Sequence, residues 1–272
     1  KNPSSLCIKP RLNFWACWSE HCDENNPGLL NLVKFLTNKT DKQVEELVDS
    51  LIDGDVREFP EFEEFDDRQN KIYKISREEI KARLIVPSPY YLARGFSAEA
   101  LEKFCVGDCL NGKKMSGRSV CPVFDIDGNY IGCSGRTHST KSYVNKWLHS
   151  KGLVTSCTFY GIDINQERIR KDKSVVLVEG PGDVIKLYEY GIAALSPFGT
   201  KLTIRQSHLL KDLGVETILL GFDNDEAGKK ATKKIMSNRS KMFKFVDLEL
   251  DRDPDEISRE DWIEILINNS YF

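Results

Sequence analysis

The stretch Ser174-Val175-Val176-Leu177-Val178-Glu179-Gly180-Pro181-Gly182-Asp183 decides the fold. Five residues that suit a buried strand run straight into a turn carrying two acids and two glycines, and an apolar helical pattern continues to Tyr190. Outward from it the same rhythm repeats: Ala193–Leu195, a helix from Thr203 to Leu213, Thr217–Phe222, a helix from Ala227 to Ser237, and Phe243–Leu248. Short apolar runs alternating with helices predict βαβ units and a parallel sheet buried on both faces.

Three acidic clusters fall at the carboxyl ends of these strands: Glu179 with Asp183, Asp223 with Asp225, and Asp253 with Asp255. In an open α/β sheet that edge is where ligands bind. Carboxylates converging there repel one another unless a cation neutralises them, and hard oxygen donors select Mg²⁺ or Mn²⁺. A cation so held bridges phosphate oxygens and stabilises charge during in-line displacement at phosphorus, so the expected chemistry is phosphoryl transfer. A single such cluster would read as a helix cap or turn; three in register do not.

Composition sets the frame. The 272 residues are 40% hydrophobic and 30% charged with a net charge of −3, ordinary for a globular chain. There is no run of 18 apolar residues and no apolar signal core at the start, so neither membrane insertion nor secretion is expected and a cytoplasmic location is. Eight cysteines without a regular framework read as reduced thiols. The charge is segregated: Asp41 to Asp67 holds 12 acidic and 2 basic residues, a net of −10, while Arg68 to Lys151 holds 15 basic and 7 acidic, a net of +8. The middle third is therefore a candidate phosphate-binding surface. Four segments follow: a small lobe at 1–40, an acidic linker at 41–70, a basic mixed α+β subdomain at 71–170, and an α/β subdomain with a C-terminal helix at 171–272.

The acidic motifs, with the Gly199-Thr200 turn between them, resemble the Toprim fold of bacterial and phage primases, topoisomerases and some nucleases. Upstream, Arg118 to Gly128, Gly135-Arg136, Tyr143-Val144-Asn145, Lys151-Gly152 and Tyr160-Gly161 resemble the basic subdomain that precedes Toprim in bacterial-type primases. The resemblance implies a DNA primase making short RNA primers from ribonucleoside triphosphates on a single-stranded DNA template. Glu179, Asp223 and Asp225 would be catalytic and hold metal with Asp253 and Asp255. Arg118, Arg136, Lys141, Lys151, Asp183 and Gly199 would line the nucleotide and template groove.

Asn2 to Ser5, Phe14 to Cys17 and Cys22 resemble the second half of a primase zinc ribbon, with Cys17, Cys22 and His21 as candidate Zn²⁺ ligands. The leading ligand pair is expected in sequence ahead of Lys1. No Gly-x-x-x-x-Gly-Lys-Ser/Thr phosphate loop occurs, so a replicative helicase is expected as a partner or elsewhere. The rival readings are a Toprim nuclease and a noncatalytic primase-like binding subunit.

Overall fold

The computed structural model describes the segments 6–9, 14–17, 25–27, 40, 42–44, 68–109, 114–223, 226–239 and 242–269. The chain divides into two units, 1–67 and 68–272. In the first, strands β1 (Leu6–Lys9), β2 (Phe14–Cys17) and β3 (Asn25–Pro27) form an antiparallel meander in which Leu6 faces Cys17 and Phe14 faces Pro27. Leu29, Leu32, Val33 and Leu36, whose spacing by three and four predicts a helix at the end of this lobe, lie outside the described residues.

The second unit holds two four-stranded sheets. The antiparallel sheet comprises β4 (Gly107–Cys109), β5 (Arg118–Phe124), β6 (Tyr130–Thr137) and β7 (Trp147–His149), in that spatial order. Before it come three short helices, α1 (Arg77–Lys81), α2 (Pro89–Ala93) and α3 (Ala98–Lys103). Their starts are legible in the sequence, because Ser76, Ser88 and Ser97 each accept a bond from a backbone N–H three residues on. The β5–β6 connection is the Asp125 to Gly128 turn, with Asp125 Oδ1 accepting from Asp127 N and Asn129 N.

The parallel sheet is built from β8 (Ser174–Leu177), β9 (Ala194–Leu195), β10 (Thr217–Leu220) and β11 (Lys244–Asp247), in spatial order β11-β10-β8-β9. Thr217 pairs with both Ser174 and Lys244, and Leu220 with both Leu177 and Asp247, so the strands end level with one another. Helices α4 (Ile162–Asp172), α5 (Pro181–Glu189), α6 (Ile204–Asp212), α7 (Glu226–Arg239) and α8 (Arg259–Asn268) surround it.

Side-chain alternation along β8 explains why the strand is apolar at every position. Val175 and Leu177 enter a core with Ile162, Ile169, Leu210 and Ile218. Val176 and Val178 enter another with Val184, Leu187, Leu219 and Trp262. This second core also takes in Tyr91, Phe96, Leu101, Phe104, Cys121 and Ile131 from the antiparallel half. Segments 71–170 and 171–272 thus share one core, and α4 runs across the boundary between them. Cys105, Cys109, Cys121, Cys133 and Cys157 are free thiols.

Gly161 opens α4 with φ +83°, where a side chain is strained, and a Cβ there would lie 2.7 Å from Val184 Cγ1 of α5. At the other end of the unit Trp262 is fully buried and its Nε1 donates to Pro254 O at 3.1 Å, which anchors the third acidic motif. Trp262→Ala should destabilise the chain by about 3–5 kcal/mol, the range for removing a buried Trp. Denaturant unfolding checks this, with Ile267→Ala, at an exposed site on the same helix, as the near-neutral control.

Candidate active site

The level ends of β8 and β10 bring the first two acidic motifs together. Glu179 and Asp223 each lie two to three residues past their strands, and Glu179 Oε1 accepts from Asp223 N at 3.2 Å. The backbone of Glu179 is fixed as firmly, its carbonyl accepting from Ser196 Oγ at 2.6 Å and Gly199 N at 2.9 Å. Asp183, in the first turn of α5, reaches back so that its Oδ2 accepts from Gly180 N at 2.9 Å. The third motif comes six residues past β11. Asp253 precedes a single 3₁₀ turn, Pro254–Glu256, and Asp255 Oδ2 accepts from Arg94 Nη2 at 2.7 Å.

These groups line one cavity of about 310 Å³. Glu179, Asp183, Asp223, Asp253 and Asp255 come from the parallel sheet side, with Gly199 at the edge. Arg136, Lys146, Trp147 and His149 come from the antiparallel sheet and Arg94 from the end of α2. Register explains the cationic face: Arg136 pairs with Trp147 across β6 and β7, and Ser134 pairs with His149, which puts these four on one face. The Arg136 guanidinium lies over the Trp147 ring at 5.5 Å.

The acids are crowded. Desolvation raises the Asp183 carboxyl to about 7, reinforced by the neighbouring charges of Asp255, Asp223 and Glu179 and opposed by the Gly180 N–H. Burial also holds His149 below its ordinary value. Among the described residues no three acidic, histidine or cysteine side chains close into a ready-made ligand shell. Mg²⁺ does not require one, since it takes one or two carboxylates and completes its octahedron with water and substrate phosphate. Glu179 and Asp223, adjacent and facing an open cavity, fit that kind of site.

The candidate residues from sequence separate into three groups. Glu179, Asp183, Asp223, Asp253, Asp255, Arg136 and Gly199 meet at the cavity. Asp225, His21 and Cys22 lie outside the described residues, and Cys17 is described only as part of the β2 backbone. Arg118, Lys141 and Lys151 are not among the cavity's lining residues. Arg118 is buried in β5, where its Nη1 donates to the carbonyls of Gly135 and Asn145 at 3.0 Å each, so it serves as an internal brace. Lys141 is exposed and 5.7 Å from the exposed Tyr143 ring, and Lys151 is also exposed. The lysine that reaches the cavity is Lys146, directly before β7. Arg94, Lys146, Trp147 and His149 are functional candidates that the sequence reading passed over. The alternation of Trp147 and His149, two residues apart after a lysine, was the available signal.

The family model described as Toprim-like matches residues 176–258, from mid-β8 to Ser258 at the start of α8. Fold and site therefore define a Toprim-type α/β core joined to a basic antiparallel subdomain. The chain is similar to bacterial DNA primases. It is 28% identical over 200 residues to the DNA primase of Chlamydia pneumoniae, covering 61% of this chain and 34% of that protein. It is superimposable on the zinc-binding and RNA polymerase domains of the Aquifex aeolicus primase with a TM-score of 0.60 at 19% identity, covering 97% of this chain and 75% of that one. A DnaG primase catalytic domain bound to single-stranded DNA gives 0.58 at 19% identity, covering 71% and 77%. The chain spans between 20% and 38% of the length of the first curated relatives it matches.

The raised Asp183 value has a measurable consequence. A carboxyl whose folded value exceeds its unfolded one contributes stability that is complete below about pH 4 and lost as pH rises through about 7. Asp183→Asn keeps an oxygen for the Gly180 N–H but cannot ionise. In EDTA at pH 8 it should be more stable than wild type by about 4 kcal/mol, and at pH 4 the two should match. Thermal unfolding at the two pH values reads this directly.

Proposed function

We propose that this chain is the catalytic part of a DNA primase, joining ribonucleoside triphosphates into a short RNA on a single-stranded DNA template with Mg²⁺ or Mn²⁺. One observation carries the reading: carboxylates from the parallel sheet and cations from the antiparallel subdomain face each other across a single cavity. A nuclease needs the acids to hold its metal; a polymerase must in addition hold a triphosphate carrying several negative charges. Arg136, Lys146 and Arg94 on the facing wall supply that countercharge. The similarity to primases and the primase fold support it.

In this reading Glu179 and Asp223 would hold the divalent cation, which would supply Lewis-acid activation of the attacking 3′-hydroxyl and charge neutralisation at the α-phosphate. Asp183 and the Gly180 backbone keep Glu179 oriented at the start of α5. Asp253 and Asp255 complete the acidic wall, the Arg94 contact fixes where Asp255 points, and Asp225 would add a metal ligand. Arg136 and Lys146 position the triphosphate and the departing pyrophosphate. A zinc lobe using Cys17, His21 and Cys22 with ligands from a preceding segment would assist template capture, and a helicase would expose the template.

The experiment supplies Mn²⁺, single-stranded DNA and labelled ribonucleotides in one arm, and labelled DNA without nucleotides in the other. Oligoribonucleotide synthesis is expected, with Glu179→Gln and Asp223→Asn each lowering the rate at least about 100-fold. Lys146→Ala should cost about tenfold or more, while Lys151→Ala stays near wild type. DNA cleavage in the second arm would instead make the chain a nuclease. Activity in neither arm would make it a binding subunit.

A further inference from the structure

We propose that Ser134, His149 and Phe198 form a nucleoside subsite in this cavity, with the two rings walling the base and the Ser134 hydroxyl bonding the sugar or base edge. The inference rests on the reading that the cavity takes a nucleotide.

The cavity's lining is chemically of two kinds, charged and uncharged. Arg136, Lys146 and the carboxylates are the charged kind. One register step along the same sheet face, the cross-strand pair Arg136–Trp147 gives way to Ser134–His149. Two residues of strand are about 7 Å, the scale of the ribose that separates phosphate from base. Partial burial holds His149 below its ordinary pKa.

Ser134 is fully buried, lines the cavity, and its Oγ has no hydrogen-bond partner among the described residues. A buried hydroxyl left unsatisfied is unfavourable. A ligand group entering the cavity is the partner it lacks.

Phe198 is the second independent sign. It holds φ +64°, a left-handed conformation that is an outlier for a bulky residue. The conformation is enforced by Ser196 Oγ, which accepts from Phe198 N at 3.0 Å and donates to Glu179 O at 2.6 Å. Gly199 N donates to the same carbonyl at 2.9 Å. The strain therefore fixes the Phe198 ring relative to the residue that would hold the metal. The ring meets His149 edge-on, with centroids 5.6 Å apart at 88°, so the pair forms one aromatic corner facing the cavity. Base stacking on aromatic rings is sequence-tolerant, as template-directed synthesis demands of a site that accepts each nucleotide in turn.

The test compares two probes by calorimetry in the presence of Mn²⁺: ATP, and inorganic tripolyphosphate, which has the charge but no nucleoside. Wild type should bind ATP more tightly than tripolyphosphate. Phe198→Leu should weaken ATP about tenfold, the loss expected for one stacking ring, and leave tripolyphosphate unchanged. Ser134→Ala should weaken ATP roughly threefold to tenfold while its thermal midpoint without nucleotide stays at or above wild type, since no bond among the described residues is lost. A structural serine would instead lower the midpoint and spare the ATP preference. Equal ATP preference in wild type and both variants overturns the subsite while leaving the nucleotide reading intact. Failure of wild type to bind either probe overturns both.

Discussion

Like charges gathered at the carboxyl edge of a parallel sheet are the constraint around which this chain is arranged. Four strands that end level must deliver whatever follows them to the same place, and here Glu179 and Asp223 follow β8 and β10. Their proximity is fixed by backbone groups: the Asp223 N–H donates to Glu179, and the Glu179 carbonyl takes two donors from the 196–199 turn. Rigid backbone tethers hold together side chains that would otherwise move apart. Much of the surrounding structure supplies positive potential to this spot: the N-terminus of α5, the Arg94 contact to Asp255, and the Arg136–Lys146 wall opposite.

That opposing wall has to be held rigidly to be useful, and the shared core does this. Tyr91, Phe96 and Leu101 pack with Val184 and Leu187 of α5. Buried Lys186 donates to Gly95 O at 2.7 Å, and Glu189 accepts from Ser97 N at 2.6 Å, so the end of α5 grips the loop that carries Arg94. An Arg77–Asp163 ion pair joins α1 to α4 in the same way. The two sheets behave as one body because their contact is apolar and continuous, and the site between them inherits that definition.

The acidic half was legible because its signal is local. An apolar run ending in an acid occurs three times in order, and each strand and helix of the parallel sheet falls within a few residues of where the sequence put it. The basic half was only partly legible because its geometry depends on cross-strand register, which no local pattern shows. Lys141 and Lys151 flank β7 as Lys146 does, but of the three only Lys146, whose carbonyl accepts from Thr137 N at the end of β6, lines the cavity. Arg118 looked like a phosphate ligand, yet β5 is buried at every position, so its guanidinium bonds carbonyls instead of solvent or ligand. Ser134 and Phe198 carried no sequence signal, since an unsatisfied hydroxyl and a left-handed backbone are visible only in three dimensions.

We propose that one cavity holds metal on its acidic wall and triphosphate on its basic wall. Crystals of the full chain soaked with Mn²⁺ and ATP, examined by anomalous scattering, test it most directly. The account predicts a Mn²⁺ peak between Glu179 and Asp223, with triphosphate oxygens bonded to Arg136 and Lys146. A metal bound away from Glu179, or a triphosphate lying on the outer surface near Lys141 and Lys151, would contradict it.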